Sequence, residues 1–195
     1  MSLARYAILA AFLAGPTLAE TYHLDPTHTE VRFLYSHAGV SEQSGEWTRV
    51  DGTVDFDPAD LAATSAEITI ESGSLHTGVS PLDDYMKSSA FFDVDRFPEI
   101  TFVSTSAEDI GEDRLRMTGD LTVKGQTMPI TLEAELTFMG EHPLGSGFAY
   151  FKGDWIGVRV TGLLSRSALG LGTLPQLAGD EVTLRISSEL RAGGW

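Results

Sequence analysis

The sequence predicts an all-β protein built mainly of antiparallel strands. Apolar and polar residues alternate with a period of two in most segments, which is typical of strands with one dry and one wet face. Turn-forming residues separate these segments, and a single helix pattern interrupts them. A meander of this length must close into a barrel or split into two packed sheets, because open strand edges promote aggregation.

The alternation predicts eight strands. Leu115, Met117 and Leu121, for example, alternate with charged or hydroxyl-bearing neighbours. Turns are predicted at 51–52 or 57–58, at 111–113, at 124–125 and at 141–143, where glycine, proline or acidic residues occur. The predicted strands cover residues 29–38, 45–57, 64–73, 99–107, 112–124, 127–139, 147–165 and 180–191.

One short helix is predicted between the third and fourth strands. Ser80 is a suitable N-cap, Pro81 fits the first helical position, and Asp83 occupies the capping-box position. Apolar residues four positions apart then form one face, and the helix is expected to end near Phe91. Its simplest role is to cover one end of a barrel.

The first 19 residues have the pattern of an export signal. Arg5 is basic, residues 6–14 are apolar, and small residues precede a cleavage site after Ala19. The apolar run is about half the length that a bilayer-spanning helix needs, roughly 20 residues. We therefore expect a periplasmic protein with Glu20 as its mature N-terminus and no membrane insertion after processing. Residues 20–195 are predicted to form one domain.

The composition excludes several kinds of site. The chain has no cysteine, so it forms neither disulfides nor thiolate zinc sites. Its 28 acidic and 13 basic side chains give a net charge of −15, which disfavours nucleic acid as a partner. The five histidines are not spaced for metal ligation, and His28 is expected to form structural hydrogen bonds. Nucleophile-elbow and dinucleotide-loop motifs are missing, so no catalytic residue and no cofactor are predicted.

Several motifs, in the same order along nearly the whole mature chain, resemble those of the YceI-like family. The stretch from Lys87 to Phe102, with adjacent phenylalanines and an acidic turn leading into a strand, is the most particular of them. The others are Tyr22–Phe33, His37–Gly39, Gly52–Pro58, Ser74–Thr77, Gly119–Gly125, Ser165–Gly170 and Gly179–Val182.

This resemblance implies an eight-stranded up-and-down barrel, lipocalin-like, that holds a polyisoprenoid or another long apolar molecule. From the residues alone, the lumen could equally be a solid core; the resemblance favours a cavity. His37 and Arg166 are candidates for contact with a ligand head group, although Arg166 could instead pair with a loop carboxylate. The side chains predicted to bind the ligand in the lumen are Phe33, Tyr35, Val54, Ile68, Ile70, Met86, Phe91, Phe102, Leu121, Leu132 and Leu184.

The leading hypothesis is therefore non-enzymatic storage or transport of a polyisoprenoid or prenyl quinone by a monomer or homodimer. Three alternatives remain. The protein could bind another amphiphile, such as a fatty acid or fatty amide. It could be a lipid-modifying enzyme that uses His37 with a neighbouring tyrosine or acid. It could also be a filled barrel that acts as an adaptor for a membrane redox protein.

Overall fold

The computed structural model describes residues 19–195, so the predicted export signal lies almost entirely outside the described residues. Within residues 19–195 the fold has ten strands, one α-helix and three short 3-10 turns. The strands are β1 (Glu20–His37), β2 (Ser41–Trp47), β3 (Val50–Phe56), β4 (Ser65–Glu71), β5 (Leu75–His76), β6 (Glu99–Gly111), β7 (Arg114–Val123), β8 (Gln126–Glu141), β9 (Asp154–Ser165) and β10 (Ala178–Ala192). Helix α1 covers Ser80–Lys87, and the 3-10 turns are Leu61–Ala63, Ser72–Ser74 and Ala149–Phe151.

The strands close into an antiparallel barrel with eight positions around the ring. The order is β1, β3, β4, β6, β7, β8, β9 and β10, and β10 pairs with β1 to complete it. Strand β2 continues β3 along the second half of β1, and β5 pairs with β2 as a continuation of β4. The predicted eight-stranded barrel, with one helix between its third and fourth strands, is confirmed.

Two of the predicted turns, at 111–113 and at 124–125, are tight hairpins. Lys124 and Gly125 have φ values of 51° and 72°, and Glu112 and Asp113 both have 57°. Two central residues with positive φ match the right-handed twist of the flanking strands. Each hairpin holds its two strands in the register that sends the apolar residues inward.

Several strand boundaries differ from their predictions. Strand β1 begins nine residues before the predicted start, since residues 20–23 pair with β3. The second predicted strand is interrupted at 48–49, and the third ends at Glu71, two residues before its predicted end at 73. The seventh begins at Asp154 and not at 147, because a 3-10 turn occupies Ala149–Phe151.

The helix also differs in detail from its prediction. Val79 is the N-cap and has no side-chain cap hydrogen bond, while Ser80 is already helical. The Asp83 carboxylate instead accepts hydrogen bonds from Thr77 N (2.7 Å) and Thr77 Oγ1 (2.6 Å), which tie the helix to the strand before it. The helix ends at Lys87, one turn before the predicted end at Phe91.

Candidate functional site

The candidate site is a cavity of about 680 Å³ that runs through the barrel. Its wall consists almost entirely of inward-pointing apolar side chains, because every ring strand contributes residues from one side of its alternation. Phe33 pairs with Leu184, and Val31 with Ile186, across the neighbouring strands β1 and β10. All four side chains lie on this inner surface. The volume is within the range of about 300–1,000 Å³ typical of small-molecule sites.

Glycines on the inner surface help to keep this space open. A Cβ atom at Gly162 would lie 2.5 Å from Leu132 Cδ2, and one at Gly119 would lie 2.4 Å from Phe102 Cζ. Both distances are well below ordinary carbon–carbon contact, about 3.5–4.0 Å. Leu132 and Phe102 can therefore lie flat over the neighbouring strand and do not fill the lumen.

One end of the cavity reaches the protein surface. This end holds the start of α1 and the connection between β9 and β10, residues 166–177. Val79, Leu174 and Leu177 line the cavity and are also substantially exposed. We call this opening the mouth. Leu169 and Leu171 from the same connection are buried in the core cluster and close part of this end.

All eleven side chains predicted to form the lumen lie in the cavity wall. Met86 and Phe91, from α1 and the segment after it, cover the barrel beside Tyr85. Burial raises the pKa of the Tyr35 phenol above its ordinary value. Contact of these residues with a ligand remains a prediction.

The two head-group candidates lie close together at the mouth. His37 pairs with Ala178 across β1 and β10, and Arg166 Nη2 donates to the carbonyl oxygen of the same residue at 2.6 Å. His37 is exposed and makes no side-chain hydrogen bond or ion pair within residues 19–195. It is therefore available to a ligand.

Backbone carbonyl oxygens, and not a loop carboxylate, are the hydrogen-bond partners of the Arg166 side chain. Its side chain is buried, and besides the bond to Ala178 it donates to the carbonyl oxygens of Gly179 (2.8 Å), Leu171 (2.5 Å) and Thr173 (2.8 Å). These four bonds use four of the five N–H donors of a guanidinium group. Arg166 thus holds the 166–180 segment in place, and one N–H remains for any head-group contact.

A second polar cluster lies near the opposite end of the barrel. The buried Asp25 carboxylate accepts hydrogen bonds from Thr27 N (2.8 Å), Thr27 Oγ1 (2.7 Å) and Tyr150 OH (2.8 Å), and it lies 2.7 Å from His28 Nδ1. Burial alone would raise the pKa of Asp25, but these hydrogen bonds outweigh it and lower the pKa. The structural hydrogen bond expected of His28 is confirmed.

The same cluster contains a possible set of metal ligands. Donor atoms of Asp25, His28 and Glu189 lie within 4.8 Å of one another. However, both carboxylate oxygens of Asp25 already face protein donors. The bond from Tyr150 to Asp25 also links the 142–153 connection to β1.

Sequence reasoning missed part of the cavity wall. Trp47, Phe92, Leu169, Leu171 and Leu174 line the cavity but were not predicted to do so. Trp47 falls on the alternation of the second strand, which could have identified it. The other four lie in irregular segments, where no period indicates which way a side chain points.

No helix within residues 19–195 is both long and apolar enough to cross a membrane.

The sequence is similar to that of a known protein family and of its members. The family model for the YceI-like domain matches residues 22–190. Protein YceI of Escherichia coli O157:H7 is 37% identical over 145 residues, which cover 73% of this chain and 75% of that protein.

Two solved structures share the fold at lower identity. Burkholderia cenocepacia BcnA has a TM-score of 0.75 at 24% identity, with 85% of this chain and 98% of that chain covered. A Saccharophagus degradans domain described as polyisoprenoid binding has a TM-score of 0.61 at 16% identity, with 90% and 99% covered.

Proposed function

Because the chain belongs to the YceI-like family, we propose that its barrel binds a long-chain apolar molecule, a polyisoprenoid or prenyl quinone. The cargo is stored or carried across the periplasm without chemical change. The observation that carries the proposal is the apolar cavity of about 680 Å³ with an open mouth. The description of the Saccharophagus degradans domain as polyisoprenoid binding agrees with this cargo class.

The energetics of such a cavity suffice for tight binding. Burial of each methylene group contributes about 0.8 kcal/mol, so a dozen carbons offer roughly 10 kcal/mol before the cost of association. Affinity in the micromolar range or better then requires few polar contacts. The strongly acidic surface keeps a protein with apolar cargo dispersed in water.

The alternatives differ in what supports them. A fatty acid or fatty amide would use the same apolar wall, so only the identity of the cargo separates it from an isoprenoid. A filled-barrel adaptor is disfavoured by the size of the cavity. An enzyme acting through His37 lacks support, since His37 has no acid or phenol partner within the described chain.

The decisive experiment is extraction of the protein from its native host with organic solvent, followed by mass spectrometry. We expect about one long-chain apolar molecule per chain. Leu132→Trp should abolish this cargo, because the larger side chain enters the lumen without adding charge. Leu163→Trp is the matched control, since Leu163 is 60% exposed on the outer face of β9.

Two results would contradict the proposal. A folded Leu132→Trp variant with full cargo would put the ligand outside the lumen. An empty wild-type protein that binds no prenyl quinone, prenyl diphosphate or fatty acid would favour the adaptor.

A further inference from the structure

Three side chains with metal-binding groups converge outside the cavity, at the end of the barrel away from the mouth. They are Asp25 and His28 from β1 and Glu189 from β10, and none of them lines the cavity. One donor atom of each lies within 4.8 Å of the other two. Among the residues that the structure describes, this is the one group of three such side chains at that spacing.

An irregularity in strand pairing brings the three side chains together. Leu24 pairs with Leu190 and Thr29 pairs with Ser188, so the four residues 25–28 lie opposite a single residue of β10, which is Glu189. A bulge of this kind changes the direction of side chains and is over-represented beside functional sites. The bulge therefore places an imidazole and a carboxylate of β1 next to a carboxylate of β10.

The Asp25 carboxylate has one oxygen that can bind an ion without loss of the local fold. Its Oδ1 accepts the bonds from Thr27 N, Thr27 Oγ1 and Tyr150 OH, which hold the bulge in place. Its Oδ2 faces His28 Nδ1 at 2.7 Å. An ion that replaces the proton between these two atoms would bind both, because the proton can move to the other ring nitrogen of His28.

Glu189 is free to act as the third ligand. Its Oε2 accepts no hydrogen bond within the described chain, and His142 Nε2 lies 3.4 Å away. That distance is longer than an ordinary N–H···O bond, about 2.7–3.2 Å. The side chains of His28 and Glu189 are 41% and 40% exposed, so an ion can reach them from solvent.

The charge and the donor types favour a zinc ion. Two carboxylates that lie a few ångströms apart repel each other, and a divalent cation between them removes that repulsion. One imidazole nitrogen with two carboxylate oxygens suits Zn²⁺, which binds both donor types at about 2.0–2.2 Å. Mg²⁺ and Ca²⁺ prefer sites made of oxygen ligands.

A similar histidine–aspartate pair elsewhere in the chain lacks the third ligand. His76 Nδ1 lies 3.1 Å from Asp83 Oδ2, and Thr77 N and Oγ1 donate to Asp83 Oδ1. This pair has no further carboxylate or imidazole at ligand spacing among the described residues. The contacts between aspartate, threonine and histidine are thus common to both places, and Glu189 distinguishes the cluster at Asp25.

We propose that Asp25, His28 and Glu189 bind one Zn²⁺, with water completing a four-coordinate site. The ion joins β1 to β10 where their register breaks and stabilises this end of the barrel. The inference goes beyond the proposed function and does not depend on it, since the site is separate from the cavity and the mouth.

The test is calorimetric titration of the mature protein with zinc chloride, without a histidine tag that would itself bind zinc. Wild-type protein should bind one zinc per chain with a micromolar or lower dissociation constant. Loss of a residue that only supports a ligand weakens metal binding about 10- to 100-fold, so Glu189→Gln and His28→Gln should each cost at least that much. His76→Gln is the matched control and should leave zinc affinity unchanged.

A second measurement is thermal unfolding. At free zinc of about 100 times the dissociation constant, the melting temperature of the wild type should rise by about 5–11 °C. The same zinc concentration should produce no comparable rise in Glu189→Gln. Without zinc, Glu189→Gln and the wild type should melt at similar temperatures, which shows that the variant is folded.

Two results would overturn the inference. One is wild-type protein that binds no zinc at about 0.1 mM free ion, far above a micromolar dissociation constant. The other is equal zinc affinity in the wild type, Glu189→Gln and His28→Gln, because the ion would then bind elsewhere on the acidic surface. Neither result bears on cargo binding, so the proposed function is tested separately.

Discussion

Gly162 is expected to hold the lumen open by giving room to Leu132. In Gly162→Ala the new Cβ would lie 2.5 Å from Leu132 Cδ2, while the nearest backbone atom, Thr131 O, is at 3.5 Å. Leu132 must therefore move by about 1 Å, or change rotamer, to restore ordinary contact. The backbone can stay in place, since Gly162 is not among the residues with positive φ.

The expected effects on stability and binding are unequal. An off-rotamer Leu132 costs about 0.5–1.5 kcal/mol, and replacing glycine by alanine returns about 0.4–1 kcal/mol by restricting the unfolded chain. The melting temperature should thus shift by no more than about 2–4 °C. A displaced Leu132 excludes one or two methylene groups of cargo at about 0.8 kcal/mol each, so affinity should fall about 4- to 15-fold.

The assay is the dissociation constant of a long-chain ligand series, measured beside thermal unfolding. Loss should grow with chain length, and Leu132→Val in the Gly162→Ala background should restore part of it. Gly147→Ala is the matched control, since its Cβ would have no neighbour closer than 3.9 Å and Gly147 is not a cavity residue. Wild-type affinity in Gly162→Ala would refute the reasoning, as would an equal loss in Gly147→Ala.

Three further predictions concern other parts of the chain. Arg166→Lys should destabilise ligand-free protein by about 2–4 kcal/mol in urea unfolding, because an ammonium group cannot bond four carbonyl oxygens; a loss under about 1 kcal/mol with weaker binding would favour a head-group role. The pKa of Asp25 is lower in the folded than in the unfolded protein, so its contribution to stability is present above the unfolded value, about 3.9, and is lost as the pH falls through the folded value. The melting temperature of Asp25→Asn should therefore fall less on acidification than that of the wild type. The same dependence of melting temperature on pH in both proteins would contradict this role. Exported protein should have an intact mass that begins at Glu20, where β1 also begins; retention of residues 1–19 would exclude the export signal.

Local features of the fold could be predicted from the sequence because neighbouring residues decide them. Alternation along β7 and β8 identified the inward side chains, and the Lys124–Gly125 hairpin requires only two residues that tolerate positive φ. The helix was found from Pro81 and the apolar spacing, although its capping was not. The Asp83 carboxylate binds Thr77, a contact outside the capping-box pattern.

Strand interruptions depended on the tertiary structure. The break at 48–49 is held by Ser74, whose Oγ accepts from Arg49 N at 3.1 Å and whose carbonyl oxygen accepts from Thr48 Oγ1 at 3.2 Å. These partners are about 25 residues apart in sequence. The alternation of residues within either segment does not indicate these hydrogen bonds.

The sequence by itself determined which side chains face inward, since a strand places alternate residues on opposite faces whatever its neighbours are. Whether those side chains meet across the lumen was decided only by the closed ring, because the width of the space depends on strand number and register. Leu132 leaves the lumen free because Gly162, thirty residues later, lies beside it on β9. Pairings of this kind join distant residues, and only the folded chain brings them together.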